Sequence, residues 1–351
     1  MENQLGKIDH VLFEQFMGAK FGFENPDVLA GPQFGVDVSV VSLPGNMAMA
    51  LTSDPLSLIP SLGLEESAWL SVHLMANDMA TTGYGPQFGQ FVLNLPDTFS
   101  SSDFSIYWNY IHTFCKNIGV AITGGHTGFI AGQNSTIAGG GTFVSVGEKN
   151  KMRLSKNAKP GQVLLLSKSC AISSAAILAM SFPEIVKNKV GVEVQQAACG
   201  SLYETSSLPD ALAAVGECNQ YKEVTAMHDV TEGGVLGAVY ELATASGCGV
   251  NIFEEKLPIG EIQKHVCDVF SLDPRYCIGA GAMLFACEAN HAQIVIDRLT
   301  QKGINCTEIG VLTETGKGTN IIENKVSSPI VYKQDDPYWA AFFKALNAGW
   351  K

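Results

Sequence analysis

The chain has 351 residues, 46% hydrophobic and 16% charged, which excludes a largely disordered protein and exceeds the usual size of one domain core, so two domains are expected. Its 36 glycines follow no G-X-Y period, so it is not collagen-like. The formal charge is −12 and no Lys/Arg cluster occurs, which argues against a nucleic-acid partner; an acidic protein that handles phosphorylated ligands needs a bridging metal.

Apolar side chains at Ile8, Val11, Leu12, Phe16 and Phe21 predict a helix over 8–23, followed by a turn-rich stretch through Pro26 to Gly35. Strands are predicted over 36–43, with Asp37 at the entrance, and over 47–53, stopped by Asp54-Pro55. Trp69, Val72, Met75, Ala76 and Met79 recur at threes and fours, which predicts a helix over 65–80. Phe88–Leu95 reads as a strand, Tyr107–Ile118 as a helix, and Val120–Thr123 as a short strand that ends by running into Gly124-Gly125-His126-Thr127-Gly128. A further strand covers 136–146.

The polar, lysine-rich segment 147–161, ending in Pro160-Gly161, is the expected domain boundary. A second alternation then opens at Val163–Ser167. It includes a strand over 224–229, a helix over 231–246, a strand over 280–287 and a helix over 291–302. A tail from 323 carries a short amphipathic helix to about 348. The class is therefore α+β (mixed α/β), with an N-terminal domain over 1–150, a C-terminal domain over 160–322 and the tail over 323–351.

The nine cysteines form no C-x-x-C pair and read as reduced, buried thiols. No apolar run is long enough to span a bilayer, and the start has no basic and apolar leader, so a cytoplasmic protein without membrane association is expected. Gly316-Lys317 fails as a P-loop, and no G-x-G-x-x-G, G-x-S-x-G or H-E-x-x-H motif appears.

Three signals carry chemistry. His228-Asp229-Val230-Thr231-Glu232-Gly233-Gly234 joins a strand to a helix. Asp229 and Glu232 fit a capping-box pattern, and the two glycines would leave N–H groups open to an anion; an ordinary cap explains the same pattern. Asp37, Asp54 and Asp78 each stand at an element end, where aspartates commonly cap or turn the chain; if they converge they form a magnesium site. Gly124 to Gly128 would bring a ligand close to the backbone, with His126 and Thr127 beside it.

Together these segments resemble the AIR synthase (PurM-like) superfamily of ATP-binding proteins. Gly35-Val36-Asp37-Val38-Ser39-Val40-Val41 is similar to its G-D/E-D-A-A-V element, and Leu51-Thr52-Ser53-Asp54-Pro55 to T-T-D-P. Asn77-Asp78-Met79-Ala80-Thr81-Thr82-Gly83 resembles N-D-I/L-A-x-x-G, the most specific of them. Gly124-Gly125-His126-Thr127 stands where many members have G-G-D-T. His228 to Gly234 resembles the C-terminal-domain signature, and Gly279 to Leu284 the S-S-G-x-L-L element. The nearest likeness is to HypE-like, AIR synthase-related proteins.

The resemblance implies an N-terminal ATP-binding domain that pairs with a second copy, a C-terminal domain packed on it, and magnesium–ATP in the cleft. It implies metal ligation by Asp37, Asp54 and Asp78, and nucleotide or phosphate contacts from Asp37, Asn77, Asp78, Gly124, Gly125, His126, Thr127, Asp229, Gly233 and Gly234. Asp229, Glu232, His126 and Lys7 are candidate catalytic groups. Val36 and His126 replace acidic residues of the family pattern, and Asn347-Ala348-Gly349-Trp350-Lys351 lacks the C-terminal cysteine on which HypE proper carries its carbamoyl group. The expected activity is ATP-dependent phosphorylation of a small-molecule acceptor, with the phosphate kept, as in a kinase, or expelled to drive a dehydration or cyclisation. A maturation factor acting on a protein partner and a nucleotide-binding protein without catalysis are the alternatives.

Overall fold

The computed structural model describes residues 6–8, 10–216, 218–333 and 335–351. The first half holds α1 (His10–Phe16), β1 (Val28–Ala30), β2 (Ser39–Leu43), β3 (Met47–Ser57), α2 (Leu64–Ala80), β4 (Phe88–Pro96), α3 (Ser101–Asn117), β5 (Ala121–Ile130) and β6 (Ile137–Glu148). Its six-stranded sheet has the order β1-β2-β3-β6-β4-β5, with only β4 and β5 parallel.

Alternate residues of β3 decide the layering. Ala48, Ala50, Thr52 and Leu56 are buried, and they join α2 and α3 residues such as Val72, Met75 and Ile111 on one side. Ser53, Pro55, Val92, His126 and Ile130 lie on the other side and are exposed.

The second half holds β7 (Val163–Ser167), α4 (Ile172–Ser181), α5 (Pro183–Val190), α6 (Val192–Gly200), α7 (Leu208–Val215), β8 (Val224–Asp229), α8 (Gly234–Ser246), β9 (Gly249–Phe253), α9 (Glu261–Val269), β10 (Met283–Cys287), α10 (Ala292–Gln301), β11 (Cys306–Thr313), β12 (Thr319–Glu323), β13 (Val326–Pro329) and α11 (Pro337–Asn347). Its seven strands run β13-β12-β9-β11-β7-β10-β8. The two halves share a core: α2 residues Met75 and Met79 belong to the same buried cluster as Leu208, Met227, Phe285 and Leu299. The result is a mixed α/β protein of two domains.

Several elements depart from the sequence reading. The first helix stops at Phe16 rather than reaching 23, because Gly18 follows and Ala19 takes a left-handed φ of 59°. β3 runs through Asp54-Pro55 to Ser57, because a register shift falls between Pro55 and Ser57, where a proline is tolerated. α3 starts six residues before Tyr107, because Ser100 caps it by accepting from the Asp103 N–H at 3.0 Å.

β5 continues through Gly124 to Gly128 rather than ending at Thr123. At Gly125 (φ 146°) a Cβ would stand 1.8 Å from the Phe91 carbonyl oxygen, so glycine permits the close pairing. β12 and β13 form a hairpin across the expected boundary at 322, and Ile330 and Tyr338 of the tail are buried.

Candidate functional site

The site forms where β3, α2, β8 and α8 meet. Thr52 and Asp54 project from β3 toward α2, and the Thr52 hydroxyl donates to Asp78 Oδ2 at 2.8 Å. Asp37, in the segment between β1 and β2, places Oδ2 2.8 Å from His228 Nδ1. His228 and Asp229 end β8, both buried. His228 Nε2 lies 3.1 Å from Glu241 Oε2 on α8. Glu241 also takes the Tyr332 hydroxyl at 2.9 Å and the Lys7 ammonium at 3.4 Å. Glu232 accepts the Lys7 backbone N–H at 2.6 Å and the Trp339 indole N–H at 3.0 Å.

Six carboxylates therefore surround two basic groups, Lys7 and His228. Burial pushes Asp54 up to about 6, and burial with the nearby Asp37 charge pushes Asp229 up to about 7. Burial and the neighbouring Asp229, Asp54 and Asp37 carry Asp78 well above the usual carboxylate range. Burial opposes the charge on His228, yet Asp37 and Glu241 outweigh it and lift the imidazole to about 10. Burial likewise pushes Glu241 up, but Lys7, His228 and Tyr332 bring it down to about 2. For Lys7, Glu241 and the aspartates outweigh desolvation and hold the ammonium above its usual range.

These shifts fix the sign of the stability change with pH. Asp54 and Asp229 bind protons more tightly folded than unfolded, so each destabilises the metal-free fold as pH rises through its folded pKa. His228 contributes stability fully present below about 6.5 and lost as pH rises toward 10. Glu241 acts the opposite way, but only between its ordinary pKa and about 2. The metal-free protein is expected to melt a few degrees higher at pH 6 than at pH 8. Calorimetric scans in chelator check this, and a higher melting temperature at pH 8 contradicts it.

The structure brings Asp37, Asp54, Asp78, Asp229, Glu232 and Lys7 together. It does not bring the glycine strand. Asp54, Gly141, Phe91 and Gly125 share one row of the sheet, three strand spacings or about 14 Å across. Gly124 and His126 flank Gly125 on β5, and His126 points to the opposite face; Thr127 lies one residue further along.

Asn77 is engaged elsewhere. Its amide donates to Thr205 O at 2.9 Å and accepts from Ser207 N at 2.7 Å, so it ties α2 to the second domain. The open N–H groups expected at Gly233-Gly234 are occupied. Gly233 N–H donates to Asp336 Oδ2 at 2.7 Å, and Gly234 N–H to Thr231 O at 3.2 Å. α8 starts at Gly234, so the tail carboxylate replaces the capping box expected from Asp229 and Glu232.

The sequence reading missed Glu241, Tyr332 and the role of His228. Glu241 did carry a signal: it is a lone carboxylate on a helix otherwise lined by Val235, Leu236, Val239 and Leu242, and such a buried charge needs partners.

Both domains match known families. AIR synthase related protein, N-terminal domain, matches residues 35–146, and AIR synthase related protein, C-terminal domain, matches residues 159–323. The chain belongs to the AIR synthase-related, PurM-like family. Carbamoyl dehydratase HypE of Azotobacter vinelandii is 26% identical over 73% of this chain and 71% of its own length. Thiamine-monophosphate kinase of Buchnera aphidicola subsp. Schizaphis graminum is 22% identical over 86% and 90%. Among solved structures, HypE in a HypE–HypF complex superposes with a TM-score of 0.72 at 22% identity, covering 92% of this chain and 99% of that one. HypE in complex with ATP gives 0.66 at 17% identity, covering 95% and 97%. Among the described residues no helix is long and apolar enough to cross a membrane.

Proposed function

We propose that this chain binds magnesium–ATP in the carboxylate cluster and uses it to phosphorylate a small-molecule acceptor. The observation that supports this best is the imbalance of buried charge. Asp54, Asp78 and Asp229 are all desolvated, and Asp229 Oδ1 has no hydrogen-bond partner. Buried carboxylates in excess of their cations fit a divalent ion.

Asp54 and Asp78, with Asp37, would hold magnesium, which would offset phosphate charge beside an acidic protein. Lys7 extends its ammonium among these carboxylates and is the group placed to meet a transferred phosphoryl. Glu241 and Glu232 hold it there. Asp229 and Glu232 are the remaining candidates to handle a proton of the acceptor.

Small-molecule alcohols and phosphates screened with magnesium–ATP test the reading through ADP release. An acceptor-dependent rate that Asp54→Asn lowers at least ~100-fold, about 2.7 kcal/mol, is expected. A rate indifferent to that change contradicts the reading. The relative solved as a HypE–HypF complex motivates a second reading, action on a protein partner. That reading predicts ATP turnover only when a second protein is present.

We also propose a homodimer through the first sheet. β5 is a ten-residue edge strand, and Val92 and Ile130 are exposed on the sheet's open face. No lysine or proline protects that edge. Val92→Lys with Ile130→Lys should convert the protein to monomers by sedimentation, and an unchanged mass contradicts this interface.

A further inference from the structure

Lys168 directly follows β7 and holds a left-handed φ of 57°. Its side chain is 16% exposed, and its ammonium lies among four oxygens. It donates to Ser206 O at 2.7 Å, to Glu204 O at 3.0 Å and to Gly281 O at 3.0 Å. Those three bonds use all of its protons. Asp210 Oδ1, fully buried on α7, stands 3.1 Å away, and Ser167 donates to the other oxygen of that carboxylate at 2.6 Å. At Gly281 (φ 113°) a Cβ would stand 2.5 Å from the Glu204 carbonyl oxygen, so the two carbonyl-bearing segments are in direct contact.

Three carbonyl oxygens and a carboxylate gathered around one point repel one another unless a cation stands between them. Potassium-selective pores gather backbone carbonyls around an ion in the same manner. A lysine ammonium is a compact charge of that kind on a stem.

The caged segment reaches the candidate site through α2. Trp69 Nε1 donates to Thr205 Oγ1 at 3.0 Å, and His73 Nδ1 lies 2.9 Å from Ser206 Oγ. Asn77 pairs with Thr205 O and with the Ser207 N–H. These three residues are spaced by four on α2 and share one face, and Asp78 follows the last of them.

We propose that the Lys168 ammonium is a built-in monovalent cation, which clamps the segment 204–206, Gly281 and Asp210 together and so positions the face of α2 that leads to Asp78. Removing the side chain leaves a seat that potassium or ammonium ions fill and that tetramethylammonium is too large to enter.

Lys168→Gly tests this, because the backbone there suits glycine without strain. The intact chain is melted in chelator, free of nucleotide, at fixed ionic strength. In tetramethylammonium chloride the variant should melt ~5 °C or more below the wild type. Potassium or ammonium chloride should restore most of that loss, saturably with concentration, while the wild type responds alike to all three salts. A lysine with only a packing role gives the loss without the saturable, ion-selective recovery. If Lys168→Gly stays unfolded in every salt, Lys168→Ala replaces it with the same expectations. No loss, a loss without recovery, or equal recovery in all three salts overturns the proposal.

Calorimetry with magnesium–ATP reads the effect on α2, and this arm rests on the magnesium–ATP reading. The variant's affinity should fall at least ~10-fold in tetramethylammonium and return with potassium. Melting that recovers while ATP affinity never changes overturns the positioning role. Failure of the melting arm counts against the cage alone, and absence of ATP binding by the wild type counts against the magnesium–ATP reading alone.

Discussion

Asp78→Asn is expected to abolish magnesium-dependent ATP binding while leaving the fold intact. The side chain is half-buried on α2, and Thr52 holds one of its oxygens. The amide can still accept that hydrogen bond, so the local packing survives. What disappears is a carboxyl that burial and the neighbouring Asp229, Asp54 and Asp37 press toward its neutral form. Ionising it with no cation to answer the charge destabilises the protein, so the variant should melt at a higher temperature than the wild type in chelator. With magnesium the order reverses in its consequences: ATP affinity should drop ~100-fold or more, about 2.7 kcal/mol. Calorimetry checks the affinity and thermal scans check the fold. An affinity within a few-fold of wild type would remove Asp78 from the metal site.

Arg153→Met is expected to produce the largest loss of stability. Arg153 lies in the segment between the two domains and is buried. Its Nε donates to Val224 O at 2.7 Å and its Nη1 to Lys151 O at 3.0 Å. The guanidinium also contacts Asn219 and the Tyr221 carbonyl. Its own N–H donates to Thr82 O just beyond α2. The residue thus ties the end of α2 through its backbone, and the linker and the entrance of β8 through its guanidinium, joining the elements that carry Asp78 and His228. Burial lowers its pKa only to about 10, so it stays charged at neutral pH. Methionine keeps the apolar stem but takes the donors from two buried acceptors, Val224 O and Asn219 Oδ1, and from the Tyr221 carbonyl nearer the surface, which costs ~3 kcal/mol or more. Denaturant melts measure this, and a loss below ~1 kcal/mol would show that the linker does not depend on the guanidinium.

Local pattern made parts of this structure legible. β7 at Val163–Ser167 and β8 at Val224–Asp229 have the limits that their apolar runs indicate. The helix around Trp69 and Met75 is found within one residue of its expected start. Asp37, Asp54 and Asp78 stood out because each ends an apolar segment.

What local pattern could not give is pairing at a distance. Asp336 lies 103 residues from the Gly233 N–H that it accepts. Nothing near Gly233 announces a cap arriving from the tail. Glycine content suggested that the strand ends at Thr123, but parallel pairing with β4 carries it through Gly124 to Gly128. Asn77 and Asp78 are neighbours in sequence, yet adjacent helix positions point about 100° apart. One reaches Thr205 and the other the carboxylate cluster.

The most direct measurement is calorimetric titration of the wild-type protein with ATP, with and without magnesium. The account predicts tight binding with magnesium and none, or at least ~100-fold weaker binding, without it. ATP binding of equal strength in both conditions would contradict the assignment of the buried aspartates to a cation that carries the nucleotide.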